Sequence, residues 1–169
     1  NDVKHMLTAI STSNAIPLVR VPWNEPYEIM KVLDAGAYGV IVPLVNNREE
    51  AERAVAACRY PPEGIRSYGP NRVTFYSGKG YVRAANSEIA CIVMIETAEA
   101  LENLDDIMST PGVDAVYIGP NDLAYALDLH PSGDNNDPKH VATVTHILET
   151  AKKTRHCRRD SNRLTGIYQ

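Results

Sequence analysis

Two kinds of hydrophobic spacing alternate along this chain. Short apolar runs, the signature of buried strands, predict β-structure at 16–21, 39–45, 89–95, 114–118 and 164–168. Between them apolar positions recur every three or four residues. That spacing predicts helices over about 3–10, 25–35, 48–58, 81–87, 98–109, 123–127 and 139–153. Gly36 is placed to end the second helix, and Asn46-Asn47 to cap the third. The run 39–45 is apolar at nearly every position, as a parallel strand covered on both faces should be. Residues 59–80 have no periodicity, and long irregular loops in compact domains are commonly functional.

Strand and helix alternate every ~25 to 35 residues, the rhythm of a parallel α/β fold. A doubly wound sheet and a (β/α)8 barrel both fit that rhythm. The chain supplies about five strands, against ~8 in ~250 residues for a whole barrel. It opens on a helix and ends on a strand, so the expectation is a portion of something longer. One domain is expected over residues 1–169.

Composition narrows the function only by exclusion. The chain is 44% apolar and 22% charged with a formal net charge of −4, which gives no reason to expect nucleic acid or an anionic membrane as partner. No apolar run approaches ~20 residues, and the amino terminus lacks a signal-peptide pattern. Cys58, Cys91 and Cys157 form no C-x-x-C pair, and Cys91 reads as a small buried hydrophobe; a reducing, cytoplasmic compartment is expected. One segment breaks the acidic balance. Residues 152–163 hold six Lys/Arg against one Asp, and 154–163 is expected to be an irregular, solvated basic stretch.

The candidate chemistry lies between Ile89 and Leu129. Two strands joined by a helix form a right-handed parallel crossover, so their carboxyl ends share one sheet edge. Glu96 ends the first and Asp122 follows the second, so the two carboxylates can converge on one hard divalent ion. Equally, each stands where acidic residues cap helices, and spacing alone favours the cap. Gly119-Pro120-Asn121-Asp122 turns a strand sharply into a helix amino terminus, whose free N–H groups favour an anion. Arg66, between Gly64 and Gly69, is placed to donate two hydrogen bonds to a carboxylate or enolate oxygen; a surface arginine is the alternative. Trp23 follows a strand and lines either a pocket or the core. All six lysines fall in helices or loops, which weighs against Schiff-base chemistry and towards metal assistance.

In these stretches the chain resembles the HpcH/HpaI aldolase family, the metal-dependent pyruvate aldolases of the phosphoenolpyruvate/pyruvate-binding barrel superfamily. The matching runs are Val19-Arg20-Val21-Pro22-Trp23-Asn24, Val42-Pro43-Leu44-Val45, Arg59-Tyr60-Pro61-Pro62-Glu63-Gly64-Ile65-Arg66, Ile95-Glu96-Thr97 and Ile118-Gly119-Pro120-Asn121-Asp122-Leu123. They occur in family order and cover about residues 2–129.

The resemblance implies a partial (β/α)8 TIM barrel lacking the first two strands and the last. It implies divalent-metal-dependent cleavage of 4-hydroxy-2-oxo acids to pyruvate and an aldehyde, in a cytoplasmic homo-oligomer, often a hexamer. Glu96 and Asp122 match the metal-binding carboxylates, for Mg2+ or Mn2+. Gly119, Pro120, Asn121 and Asp122 match the turn that receives the substrate carboxylate, with Trp23 nearby. Arg66 is matched to the catalytic arginine that stabilises the pyruvate enolate. Departures are visible too. The Asp and His that assist proton transfer in the family belong upstream of residue 1, Met94 replaces a common glutamine, Ala124 a common serine, and 154–163 does not match the family's short loop. Two alternatives are an acyl-CoA ester lyase of the same superfamily and a non-catalytic remnant that binds metal and pyruvate.

Overall fold

Four parallel strands, in the order β1-β2-β3-β4, make one sheet in the computed structural model, which describes residues 2–70, 72–78, 80–132 and 134–157. The strands are β1 (Leu18–Arg20), β2 (Gly39–Val42), β3 (Ala90–Ile95) and β4 (Ala115–Ile118). Helix α1 (Asp2–Ile10) precedes β1, and α2 (Pro26–Asp34) connects β1 to β2. Helices α3 (Arg48–Cys58), α4 (Thr74–Ser77) and α5 (Tyr81–Glu88) lie between β2 and β3. The β3–β4 crossover holds α6 (Ala98–Glu102) and α7 (Leu104–Ser109). After β4 come α8 (Pro120–Ala126) and α9 (Pro138–Cys157). The expected strand at 164–168 lies outside the described residues.

Local chemistry explains the boundaries. Asn47 caps α3 by accepting a 3.0 Å bond from the Glu50 N–H, as the Asn46-Asn47 pair foretold. Gly36, at φ 113, reverses the chain after α2 in a conformation that glycine adopts without a Cβ clash. The helix expected over 98–109 is broken at Asn103, whose φ of −106 leaves the α region. Helix α9 is longer than expected, carrying regular structure to Cys157 and so into the stretch expected to be irregular. The remainder of 154–163 lies outside the described residues.

Register decides which side chains share a face. Val40 pairs with Cys91, and Val42 with Val93, which pairs with Val116. These residues, with Val21 and Ile95, form the face that the helices cover, where Ile29, Leu33, Ala54 and Ile107 join them in the core. Cys58 and Cys91 meet there as buried free thiols; the hydrogen bond between them, then burial, pushes the Cys91 thiol well above its ordinary range. Alternate positions point the other way. Leu18, Arg20, Ile41, Ile92, Ala115 and Tyr117 make a second face that is half-buried or exposed. This second face is only partly covered among the described residues: Met94 on it is buried while Leu18, Arg20 and Tyr117 are exposed, and in 39–45, expected to be buried on both faces, only Ile41 and Leu44 are less than buried.

The amino edge of the sheet is tied by Arg59. Its guanidinium donates to the carbonyls of Ile89 (2.7 Å) and Gly112 (3.3 Å) and pairs with Asp114 Oδ2 (3.2 Å), which also accepts the Cys91 N–H. One buried arginine thus joins the entries of β3 and β4.

Candidate active site at the carboxyl edge of the sheet

Glu96 is the first residue after β3, and it is only 2% exposed. Along β3, residues 90, 92 and 94 face the uncovered side, and Glu96 continues that parity. Its Oε1 accepts a 2.9 Å bond from the Leu44 N–H, while Oε2 is buried with no donor among the described residues. A carboxylate oxygen in that position is costly unless a donor or a cation meets it. Burial raises the Glu96 pKa, and the nearby Asp122 charge adds to the rise; the Leu44 N–H and the charge of Arg20 oppose it.

The helix cap that competed with this reading belongs to another residue. Thr97 is the N-cap of α6, its Oγ1 accepting from the Ala100 N–H at 3.0 Å, so Glu96 points back to the β2 loop. The loop meets it with an unusual backbone. Leu44 has φ 53, a left-handed conformation that costs a β-carbon-bearing residue about 1–2 kcal/mol, and in it the N–H turns onto Glu96.

The second carboxylate stands across the sheet edge. Gly119 caps α8, Pro120 opens it, and Asp122 lies in its first turn. The Leu123 N–H reaches back to the Gly119 carbonyl at 2.9 Å, and the amides of Asn121 and Asp122 have no intrahelical acceptor. Asp122 is exposed and its charge favours the helix start. Gly119 itself is there for close approach. A Cβ built on it would run into Glu96 Oε2, and would lie 3.0 Å from Glu96 Cβ and 3.1 Å from Met94 Cε. His140, almost fully buried, braces this turn through Nε2, 3.2 Å from the Pro120 carbonyl.

Arg66 is not part of this group. Its N–H donates to the carbonyl of Arg59, the residue that grips the entry to β3. Its Nη2 donates to Asp34 Oδ1 at 2.8 Å, at the end of α2, and to the Tyr81 hydroxyl at 3.0 Å. The guanidinium also stacks 4.5 Å over the Tyr60 ring. Burial works against its charge, but Tyr81, Asp34 and Tyr60 outweigh it. The six residues of β3 put roughly 20 Å between this amino-edge cage and Glu96. Arg66, expected to be catalytic and to bind substrate, is thus 1% exposed and held apart from Glu96 and Asp122, with its Nε and Nη1 buried and without a partner among the described residues.

The guanidinium that acts on Glu96 is that of Arg20, at the end of β1 and on the same uncovered face. Its cue was present in the sequence, as a lone cation inside the apolar run 16–21. Trp23, in the loop after β1, is 54% exposed, which rules out the core as its place. Among the described residues no three His, Cys, Asp or Glu side chains converge as a metal centre, so a divalent ion here would draw on two carboxylates.

The sequence profile of the HpcH/HpaI aldolase/citrate lyase family matches residues 1–161. The chain belongs to that family. It is 46% identical over 149 residues to a hydroxypyruvate/pyruvate aldolase of Rhizorhabdus wittichii, covering 88% of this chain and 59% of the relative. It is also 46% identical over 125 residues to a 2-dehydro-3,6-dideoxy-6-sulfogluconate aldolase of Pseudomonas putida, covering 73% and 49%. A crystal structure of a family protein from Burkholderia cenocepacia superimposes with a TM-score of 0.82 at 32% identity, over 90% of this chain and 62% of that one. The chain thus spans about half to three-fifths of the length of these relatives.

Proposed function

We propose that this chain carries the metal- and 2-oxo-acid-binding part of a carbon–carbon lyase that releases pyruvate from 4-hydroxy-2-oxo acids. The observation that carries the proposal is the buried Glu96 carboxylate, with one oxygen unpartnered, Asp122 beside it and Arg20 acting on it from the same face. The names of the two aldolase relatives agree with that substrate class. On this reading the four parallel strands are part of a (β/α)8 barrel, and the uncovered face is its interior.

The residues present fit a hard divalent ion such as Mg2+ or Mn2+. Glu96 Oε2 and the Asp122 carboxylate would hold it, with substrate oxygens and water completing the shell, the ligand economy such ions favour. When bound, the ion supplies Lewis-acid stabilisation of charge on the 2-oxo oxygen. The other tasks fall to the chain itself. The amides of Asn121 and Asp122, behind the Gly119-Pro120 turn, receive the substrate carboxylate. Arg20 donates to the 2-oxo oxygen, which gains charge as the C3–C4 electron pair moves into the pyruvate enolate; the 4-hydroxyl proton passes to solvent water as the aldehyde forms, and a water proton at C3 then gives pyruvate. Trp23 stands at the rim, on the side of Arg20.

The test is pyruvate release from a 4-hydroxy-2-oxo acid in the presence of Mn2+, with Arg20→Ala and Arg66→Met side by side. Loss of turnover at constant fold is expected for Arg20→Ala. Metal-independent release, or turnover untouched by Arg20→Ala, would refute the assignment. Binding of Mn2+ and pyruvate without release would show a binding module instead.

A further inference from the structure

We infer that Asn46 is a positioning residue for the Glu96 carboxylate, closing a ring of hydrogen bonds that fixes the Leu44 amide on it. The inference rests on the metal-site reading above and deepens it. The ring has four links. The Leu44 N–H donates to Glu96 Oε1 at 2.9 Å. The Leu44 carbonyl accepts from Asn46 Nδ2 at 3.2 Å. Asn46 Oδ1 accepts from the Thr97 hydroxyl at 2.5 Å. Thr97 is joined to Glu96 by the peptide bond, which completes the circuit.

Each polarity in the ring is forced. Asn46 Oδ1 carries no proton, so the Thr97 hydroxyl must be the donor, while its oxygen accepts the Ala100 N–H. Turning the Asn46 carboxamide over would set its oxygen against the Leu44 carbonyl, two acceptors face to face. The Asn46 backbone is held from outside as well: its N–H donates to Glu50 Oε2 at 2.7 Å, and its carbonyl accepts from Asn103 Nδ2 at 3.0 Å. The backbone of Asn46 is thus anchored on α3 and on the α6–α7 junction while its side chain spans Leu44 and Thr97.

The strained Leu44 backbone is what the ring holds in place. At φ 53 its N–H faces Glu96; relaxed to negative φ, the peptide would swing that N–H away. Both carboxylate oxygens would then lack a donor, and Oε2 would no longer be the one left free for a ligand. Partners behind a metal-binding side chain typically affect affinity by ~10- to 100-fold.

The experiment is a calorimetric titration of the chain with Mn2+ alone. Asn46→Ala and Thr97→Val are each expected to weaken binding by ~10-fold or more with the far-UV spectrum unchanged, and Thr97→Ser to restore it. The double variant should lose little beyond either single one, because the ring acts as a unit. Should Asn46→Ala fail to fold, the Thr97→Val and Thr97→Ser pair decides. Unchanged affinity in the folded variants, with binding abolished by Glu96→Ala, overturns the role of Asn46 and leaves the metal site standing. Unchanged binding in Glu96→Ala overturns the metal reading, and the ring's role with it.

Discussion

Adding a single methyl group at Gly119 probes the site from the side opposite to Leu44. The backbone there, φ −86 and ψ 95, is open to any L-residue, so Gly119→Ala carries no torsional penalty. Its cost is contact. The new Cβ would overlap Glu96 Oε2 and press on Glu96 Cβ at 3.0 Å and Met94 Cε at 3.1 Å. Met94 Cε is the end of a flexible chain and gives way cheaply. Glu96 Cβ is close to the backbone of β3 and does not, so the carboxylate must rotate or β4 must shift outward. Overpacking of this kind costs about 1–3 kcal/mol, or roughly 2–9 °C in melting temperature for a chain of this length. Rotation of Glu96 would also break its 2.9 Å bond to Leu44 and take Oε2 out of line with Asp122. Thermal unfolding and Mn2+ titration of Gly119→Ala are the assays. A lower melting temperature with at least ~10-fold weaker Mn2+ binding is expected, since 1.4 kcal/mol is tenfold. Native stability together with native affinity would refute the packing of β4 against Glu96.

Other consequences separate the two edges of the sheet. Arg66→Met should lower unfolding stability by about 2–3 kcal/mol in urea, through lost bonds to Asp34 and Tyr81, while Mn2+ affinity stays unchanged. Burial and Asp122 raise the Glu96 pKa, so the folded chain holds that proton more tightly than the unfolded one. Stability of the metal-free chain therefore falls as pH rises from the ordinary carboxylate pKa to the raised one; Glu96→Gln removes the fall, and urea unfolding at pH 4 and pH 7 should show it. The uncovered face, with Leu18, Ile41, Ile92 and Tyr117, should drive self-association of the chain; light scattering that finds a cooperatively unfolding monomer would contradict this.

Much of the fold was legible because local signals agreed with one another. The β3–α–β4 crossover follows from two apolar runs with a helical stretch between them, and the cap at Asn47 from a single polar pair. The end of α9 was not legible: a block of positive charge reads as solvated coil, yet residues to Cys157 continue the helix. In the site, Glu96 and Asp122 could be placed on one edge because parallel strands share direction. The place of Arg66 was not legible, because an arginine between glycines looks the same whether its loop returns to the carboxyl edge or the amino edge. Only long-range contacts, its Asp34 and Tyr81 partners, show which. Arg20 became informative only when register set it on the same face as Glu96. The left-handed Leu44 has no sequence signal, since nothing local distinguishes it from the strand before it.

The most direct test of the carboxyl-edge site is a Mn2+ titration, with and without pyruvate, of the unmodified chain against Glu96→Ala and Asp122→Ala. One saturable site is expected in the unmodified chain, tightened by pyruvate and lost in both variants. A chain that binds no Mn2+, or one whose binding survives both substitutions, would contradict the assignment of Glu96 and Asp122 as its metal ligands.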